Sequence, residues 1–124
     1  MDFRFMASVS AVIAAVLAVM YLVFPGLVTW IFGLGDGGEV ADFLSRRAGV
    51  LFLGFSVVLW SARQAQPGPA RRAICLGAAV LTAVFAGLGA VEALRGFAHG
   101  LTWVVVALEM LLAVGFGRLL LRGE

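Results

Sequence analysis

The chain has 124 residues, of which 63% are hydrophobic and 13% are charged, with a formal net charge of +2. A soluble domain is nearer to half apolar and a quarter charged, so this composition excludes a soluble globular fold and favours a chain embedded in a bilayer. All nine basic residues are arginines at the ends of apolar runs, which excludes the basic stripe of a nucleic-acid-binding protein. With one cysteine and one histidine, we expect no disulfide, metal site or cofactor.

The first apolar run, residues 5–24, contains no charged side chain. As a helix it is long enough to cross about 30 Å of hydrocarbon, so we predict a first transmembrane span that ends at Pro25 and Gly26. The segment LVTWIFGL follows it and is too short to cross again. We predict a short interfacial helix here, anchored by Trp30.

The second predicted span, residues 40–62, has an apolar part that is too short to cross the bilayer alone. Extending the helix to full length brings Asp42, Arg46 and Arg47 into its first turns. Asp42 and Arg46 stand at positions i and i+4, where they can pair on one face. We therefore expect these turns to be wet or packed against protein.

Two further spans are predicted at residues 73–94 and 98–117, after a basic loop at 64–72 whose two prolines block helix continuation. The prediction is a single all-α domain over 1–124, with four transmembrane helices in an antiparallel bundle. The third span also carries a stripe of small residues at a spacing of four, which predicts close helix packing: Ala79, Ala83 and Gly87.

The arginine distribution predicts the orientation of the bundle. Six arginines lie on the side that holds both termini and the 63–72 loop, and three lie on the other side. By the positive-inside rule both termini are cytoplasmic. Arginine without lysine, beside many alanines and glycines, indicates a GC-rich bacterial genome, and we expect a multi-pass protein of the bacterial inner membrane.

Two segments carry a resemblance to a known family: VFPGLVTWIFGL, and LSRRAGVLFLGFSVVLWSARQ after it. A first span ending in proline, an aromatic-Gly-Leu segment and an Arg-x-x-Gly opening to a glycine-rich second span resemble the small DoxX-like four-helix membrane proteins of bacteria. The likeness covers residues 15 to 117. It implies a four-helix bundle with an accessory role and supplies no catalytic motif; some distant four-helix relatives bind sterols or other hydrophobic ligands near buried carboxylates.

Glu109 stands in the middle of the otherwise apolar fourth span, about 12 Å along the helix from Leu101. A charged carboxylate at that depth costs about 2.5–3.5 kcal/mol, so we expect it to point into the bundle or towards a partner chain. Three arrangements are open. The carboxyl group is protonated and donates a hydrogen bond, or it pairs with Arg46 or Arg47, or it faces a cavity as a proton or cation site.

Glu92 and Arg95, at i and i+3, predict a local ion pair near the outer end of the third span. One interpretation gathers the outer charged residues into a structural cluster at the mouth of the bundle: Asp42, Arg46, Arg47, Glu92 and Arg95. The sharper interpretation makes this cluster the rim of a cavity with Glu109 at its floor. Tyr21, Ser56 and Thr82 are the remaining polar groups that could line such a cavity.

The sequence predicts a non-enzymatic integral membrane protein, either a helix-packing accessory protein or a bundle that binds an apolar small molecule. We expect it to contact the lipid bilayer and to form a homo-oligomer or join a larger membrane complex. The alternative is a small dimeric proton-coupled transporter that uses Glu109. The small multidrug exporters carry their essential glutamate in the first span, however, and this first span has none.

Overall fold

The computed structural model describes residues Asp2 to Gly123, which form five helices and no strands. The helices are α1 (Phe3–Val23), α2 (Pro25–Ile31), α3 (Gly38–Ala62), α4 (Pro69–Leu94) and α5 (Thr102–Leu121). All but α2 are long and apolar enough to span a membrane. The predicted all-α, four-span bundle is confirmed, and the chain is a multi-pass membrane protein; the outermost residues of the predicted domain, Met1 and Glu124, lie outside the described residues.

Helices α1 and α4 begin earlier than the predicted spans, because a capping residue or a proline fixes where each helix starts. Helix α1 begins at Phe3, two residues before the predicted start, because the Asp2 carboxylate accepts a hydrogen bond from the Phe5 amide at 2.8 Å and caps the helix. Helix α4 begins at Pro69 rather than at residue 73. Proline is favoured in the first helical turn, where its missing N–H would have had no partner, so it starts this helix instead of blocking it.

Helix α5 is displaced by four residues from the predicted span 98–117. The connection before it contains Gly96 and Gly100, whose φ angles of 78° and 62° lie in the left-handed region. These two glycines hold the connection in a turn as far as residue 100, so the helix does not begin at residue 98. The helix then starts at Thr102 and extends past Arg118, which lies in its last turn.

The helices pack mainly as two pairs, α1 with α3 and α4 with α5. Helix α1 buries a stripe of small residues: Ala7, Ala11, Ala14 and Ala18. Large apolar side chains point outward instead, and Leu51 and Leu111 are 76% and 68% exposed. Lipid is as apolar as leucine, so close backbone contact between small residues holds such helices together.

The small-residue stripe predicted on α4 packs against the buried core only at its first residue, Ala79. Ala83 and Gly87 are exposed, and a Cβ built at Gly87 would meet no atom within 4 Å. The buried face of α4 lies one position earlier along the helix and comprises Cys75, Ala78, Thr82 and Ala86. Small residues at a spacing of four occur on more than one face of this alanine-rich helix, and spacing alone could not select the right one.

The two helix pairs meet closely at the end of the bundle that holds both chain ends, which we call the terminal end. The start of α1, the end of α3, the start of α4 and the end of α5 contribute side chains that are at most 1% exposed: Phe3, Leu59, Cys75, Phe116 and Leu119. This cluster closes the bundle on that side.

The opposite end, which we call the loop end, is covered by α2 and by the connection between α4 and α5. Two main-chain hydrogen bonds join them, from the His99 amide to the Phe32 carbonyl at 2.6 Å and from the Leu101 amide to the Ile31 carbonyl at 2.8 Å. The short helix predicted after the first span therefore exists and is tied to the bundle.

Candidate functional site: a cavity in the loop half of the bundle

A cavity of about 340 Å³ occupies the half of the bundle nearer the loop end. At its deep end the cavity is lined by Phe116, which belongs to the terminal-end cluster. At its other end it is lined by Val28 of α2 and by Phe32, which follows α2. Its wall is mostly apolar and comes from all five helices. Ligand pockets typically have volumes of about 300–1,000 Å³ and apolar walls with a few polar groups, and this cavity fits that description.

Glu109 is half-buried on α5 and lines the cavity. Between Asp2 and Gly123 its carboxylate accepts no hydrogen bond and forms no ion pair. Tyr21 of α1 lines the same cavity. The structure places Glu109 on the wall of a cavity, as the third of the arrangements left open by the sequence requires, and its role there as a proton or cation site stays a prediction.

Arg46 and Arg47 do not reach Glu109 or Glu92, and this part of the sequence interpretation is corrected. Both are exposed, and the Arg47 guanidinium carbon lies 5.8 Å from the centre of the Phe43 ring. Gly49, the next residue but one, already packs against Tyr21 near the end of α1. The arginines therefore lie level with the end of α1, on the exposed surface of α3.

The five-residue charged cluster is likewise not assembled. Of its members, only Glu92 and Arg95 come together: Nη1 of Arg95 lies 3.0 and 3.1 Å from the two carboxylate oxygens of Glu92, so the predicted ion pair is confirmed. Asp42 and Arg46 share a shallow depression on α3 but make no ion pair among the described residues. Glu92 lines the cavity with its charge already compensated.

The predicted polar lining is present only in part. Tyr21 and Thr82 line the cavity, whereas Ser56 does not. The Ser56 hydroxyl donates a 2.7 Å hydrogen bond to the carbonyl of Ala11 and is used to join α3 to α1. The Thr82 hydroxyl donates to the Ala78 carbonyl of its own helix, also at 2.7 Å.

Ser10 is a cavity residue that the sequence interpretation missed. Its side chain is 4% exposed, its hydroxyl oxygen has no hydrogen-bond partner, and it lines the cavity on α1 close to the terminal-end cluster. The signal was its position between Ala7 and Ala14, on the small-residue face of α1. A serine on that face points into the bundle.

A row of aromatic rings was also missed. The ring of Tyr21 lies 5.1 Å from that of Phe52, which in turn stacks at 6.0 Å on Phe85. The row links α1, α3 and α4 along one wall of the cavity. No periodicity in the sequence marks it, since the three rings come from three helices whose relative rotation is set by packing.

Among the described lining residues, the cavity contains one acidic side chain that has no ion-pair partner. No arginine, lysine or histidine is among its described lining residues, and Glu92 is paired, which leaves Glu109. Among residues 2–123, no three His, Cys, Asp or Glu side chains converge on one point.

Comparison of the chain with protein-family models, curated proteins and solved structures gave no match. The resemblance to DoxX-like proteins stays a prediction from the sequence.

Proposed function

We propose that this chain is a non-enzymatic protein of the bacterial inner membrane, with cytoplasmic termini, that binds an apolar small molecule inside its four-helix bundle. The observation that carries the proposal is the cavity of about 340 Å³, closed at the terminal end and lined by apolar side chains. An accessory role in a homo-oligomer or a larger membrane complex, as in the DoxX-like proteins that the sequence resembles, is compatible with such a binding site.

The energetic cost of an empty cavity supports occupation by a ligand. A void beside apolar side chains deprives them of the dispersion contacts that a filling molecule would supply. Water does not fill an apolar cavity favourably, so an apolar molecule or a lipid chain is the occupant that the wall favours.

Photolabelling tests the proposal directly. The protein is placed in phosphatidylcholine nanodiscs with a small apolar aryl-diazirine photolabel, and modified residues are identified by mass spectrometry. We expect labelling of Leu17, which lines the cavity, to saturate with label concentration. Labelling of the adjacent Val16, which is 54% exposed on the outer surface, should rise in proportion to the label in the lipid.

A matched pair of substitutions separates the cavity from the surface. Ile13→Trp places a larger side chain in the cavity, and Val12→Trp places it on the neighbouring outward-facing position, where Val12 is 56% exposed. We expect the first variant to lose the saturable labelling and the second to retain it. Saturable labelling that survives Ile13→Trp unchanged would show that the label binds elsewhere.

A proton-coupled transporter is the second candidate, and the unpartnered Glu109 carboxylate favours it. Transport requires the terminal-end cluster to open, whereas ligand binding does not. Infrared difference spectra of the carboxyl stretch, compared between the wild type and Glu109→Gln in bilayers, test this candidate. A Glu109 band that titrates near neutral pH supports it, and a band that is constant across that range argues against it.

A further inference from the structure

We infer that the ligand of this cavity is an amphiphilic amine, with its ammonium group held by Glu109 beside the rings of Tyr21 and Phe52 and its apolar body in the rest of the cavity. The inference rests on the proposed function, because it names the ligand class of the same cavity. Two features of the cavity support the ligand class, its charge and its aromatic wall, and an unpartnered hydroxyl supports occupation of the cavity.

The first feature is the charge of the cavity, in which one acidic side chain lacks a positively charged partner between Asp2 and Gly123. Glu92 and Glu109 are its acidic lining residues, and Arg95 compensates Glu92. Glu109 has no such partner among the described residues, and no basic side chain there lines the cavity. With Glu109 ionised, a neutral ligand such as an alcohol could donate a hydrogen bond to the carboxylate but would leave its negative charge in place. A cationic ligand supplies the hydrogen bond and the opposite charge together.

The aromatic wall adds a second attraction for the same group. Aromatic rings attract organic cations at their faces within about 6 Å of the ring centre, most strongly where water is excluded. Tyr21, Phe52 and Phe85 form a continuous row on the cavity that Glu109 also lines. A carboxylate beside aromatic rings is the combination that recognises ammonium groups.

The Ser10 hydroxyl is a second polar group of the cavity without a partner among the described residues. Serine on a helix commonly donates to a carbonyl of the preceding turn, as the hydroxyl of Thr82 does here. Ser10 is 4% exposed and makes no such bond. Within residues 2–123, Ser10 and Glu109 are therefore both left without protein partners in one cavity. The amine supplies a partner for Glu109 alone, so Ser10 bears on occupation of the cavity and not on the charge of the ligand.

Competition against the photolabel tests the ligand class. Dodecylamine, dodecanol and laurate have the same chain and differ in the charge of their head groups. At equal mole fractions in phosphatidylcholine nanodiscs, we expect dodecylamine to suppress cavity labelling of Leu17 at a concentration about tenfold lower than dodecanol, a factor that corresponds to about 1.4 kcal/mol. Laurate should be the weakest competitor, because its carboxylate meets that of Glu109.

Substitution of the cavity acid and of a surface acid separates a site effect from accumulation of amine in the bilayer. In Glu109→Gln the tenfold preference for dodecylamine should fall to nearly none while the photolabel still binds. In Glu39→Gln, which changes an exposed acid in the first turn of α3 outside the cavity, the preference should persist. A preference retained in Glu109→Gln, or equal competition by amine and alcohol in the wild type, overturns the inference.

The outcomes distinguish this inference from the proposed function. Cavity labelling that does not saturate in the wild type refutes binding in the cavity altogether. Saturable labelling with no preference for the amine refutes only the ligand class. If Glu109→Gln loses the photolabel as well, Glu109→Asp, which keeps the charge, decides: a retained amine preference supports the inference and its loss contradicts it.

Discussion

Replacement of Gly49 by alanine tests whether close backbone approach holds α1 to α3. A Cβ at this position would lie 2.8 Å from Cγ of Leu22, 3.0 Å from Cβ of Tyr21 and 3.1 Å from the Leu22 amide nitrogen. One of these is a main-chain atom, so a rotamer change cannot relieve the contact and α1 must move. Overpacking costs about 1–3 kcal/mol, and alanine recovers at most about 1 kcal/mol of helix propensity, so we expect a net loss of about 1–2 kcal/mol.

Gly54→Ala is the matched control, because Gly54 lies on the same helix and a Cβ there would meet no atom within 4 Å. We expect it to be unchanged or up to about 1 kcal/mol more stable. The free energy of unfolding is measured by titrating sodium dodecyl sulfate into mixed micelles and following far-ultraviolet circular dichroism. Equal stabilities of the two variants would refute the close approach of α1 and α3 at Gly49.

Two further substitutions test other contacts by the same unfolding titration. Ser56→Ala removes the hydrogen bond from α3 to a carbonyl of α1 and should cost about 0.6 kcal/mol, the average for interhelical bonds in a membrane protein; Ser61→Ala, an exposed position on the same helix, should cost nothing measurable. Gly100→Ala strains a residue at φ 62° and places a Cβ 2.9 Å from the Ile31 carbonyl oxygen. It should therefore destabilise by more than Gly96→Ala, where φ is 78° and the space is open; equal losses would mean that the contact with α2 contributes nothing.

The number and type of the helices could be predicted from the sequence, because a bilayer imposes length and hydropathy on every span. Residues 5–24 and 40–62 correspond closely to α1 and α3. The starts of α4 and α5 differ from the predicted positions in opposite directions. Proline begins a helix as readily as it ends one, which advanced α4 to Pro69, and glycines at positive φ delayed α5 to Thr102.

The candidate site could be predicted only where desolvation fixes the direction of a side chain. An inward-pointing Glu109 followed from the cost of placing a carboxylate against lipid. Its supposed partners, Arg46 and Arg47, could not be tested from the sequence, because pairing depends on which surface of α3 the arginines occupy. Gly49 contacts Leu22 of α1, and both arginines lie on the exposed surface of α3.

The two halves of the bundle are packed unequally, and Glu109 lies in the half that is less tightly packed. At the terminal end, Phe3 and Phe116 fill the space between the helix pairs and leave no room for a ligand. Towards the loop end the pairs enclose the cavity, and here the chain places Glu109 and Ser10 without partners. A protein that only packs helices gains nothing from a cavity or from an uncompensated carboxylate, and each lowers its stability. The cavity and the carboxylate occur together, beside aromatic rings. A bound cationic amphiphile fills the cavity with its apolar body and pairs the carboxylate with its ammonium group, so it offsets both costs.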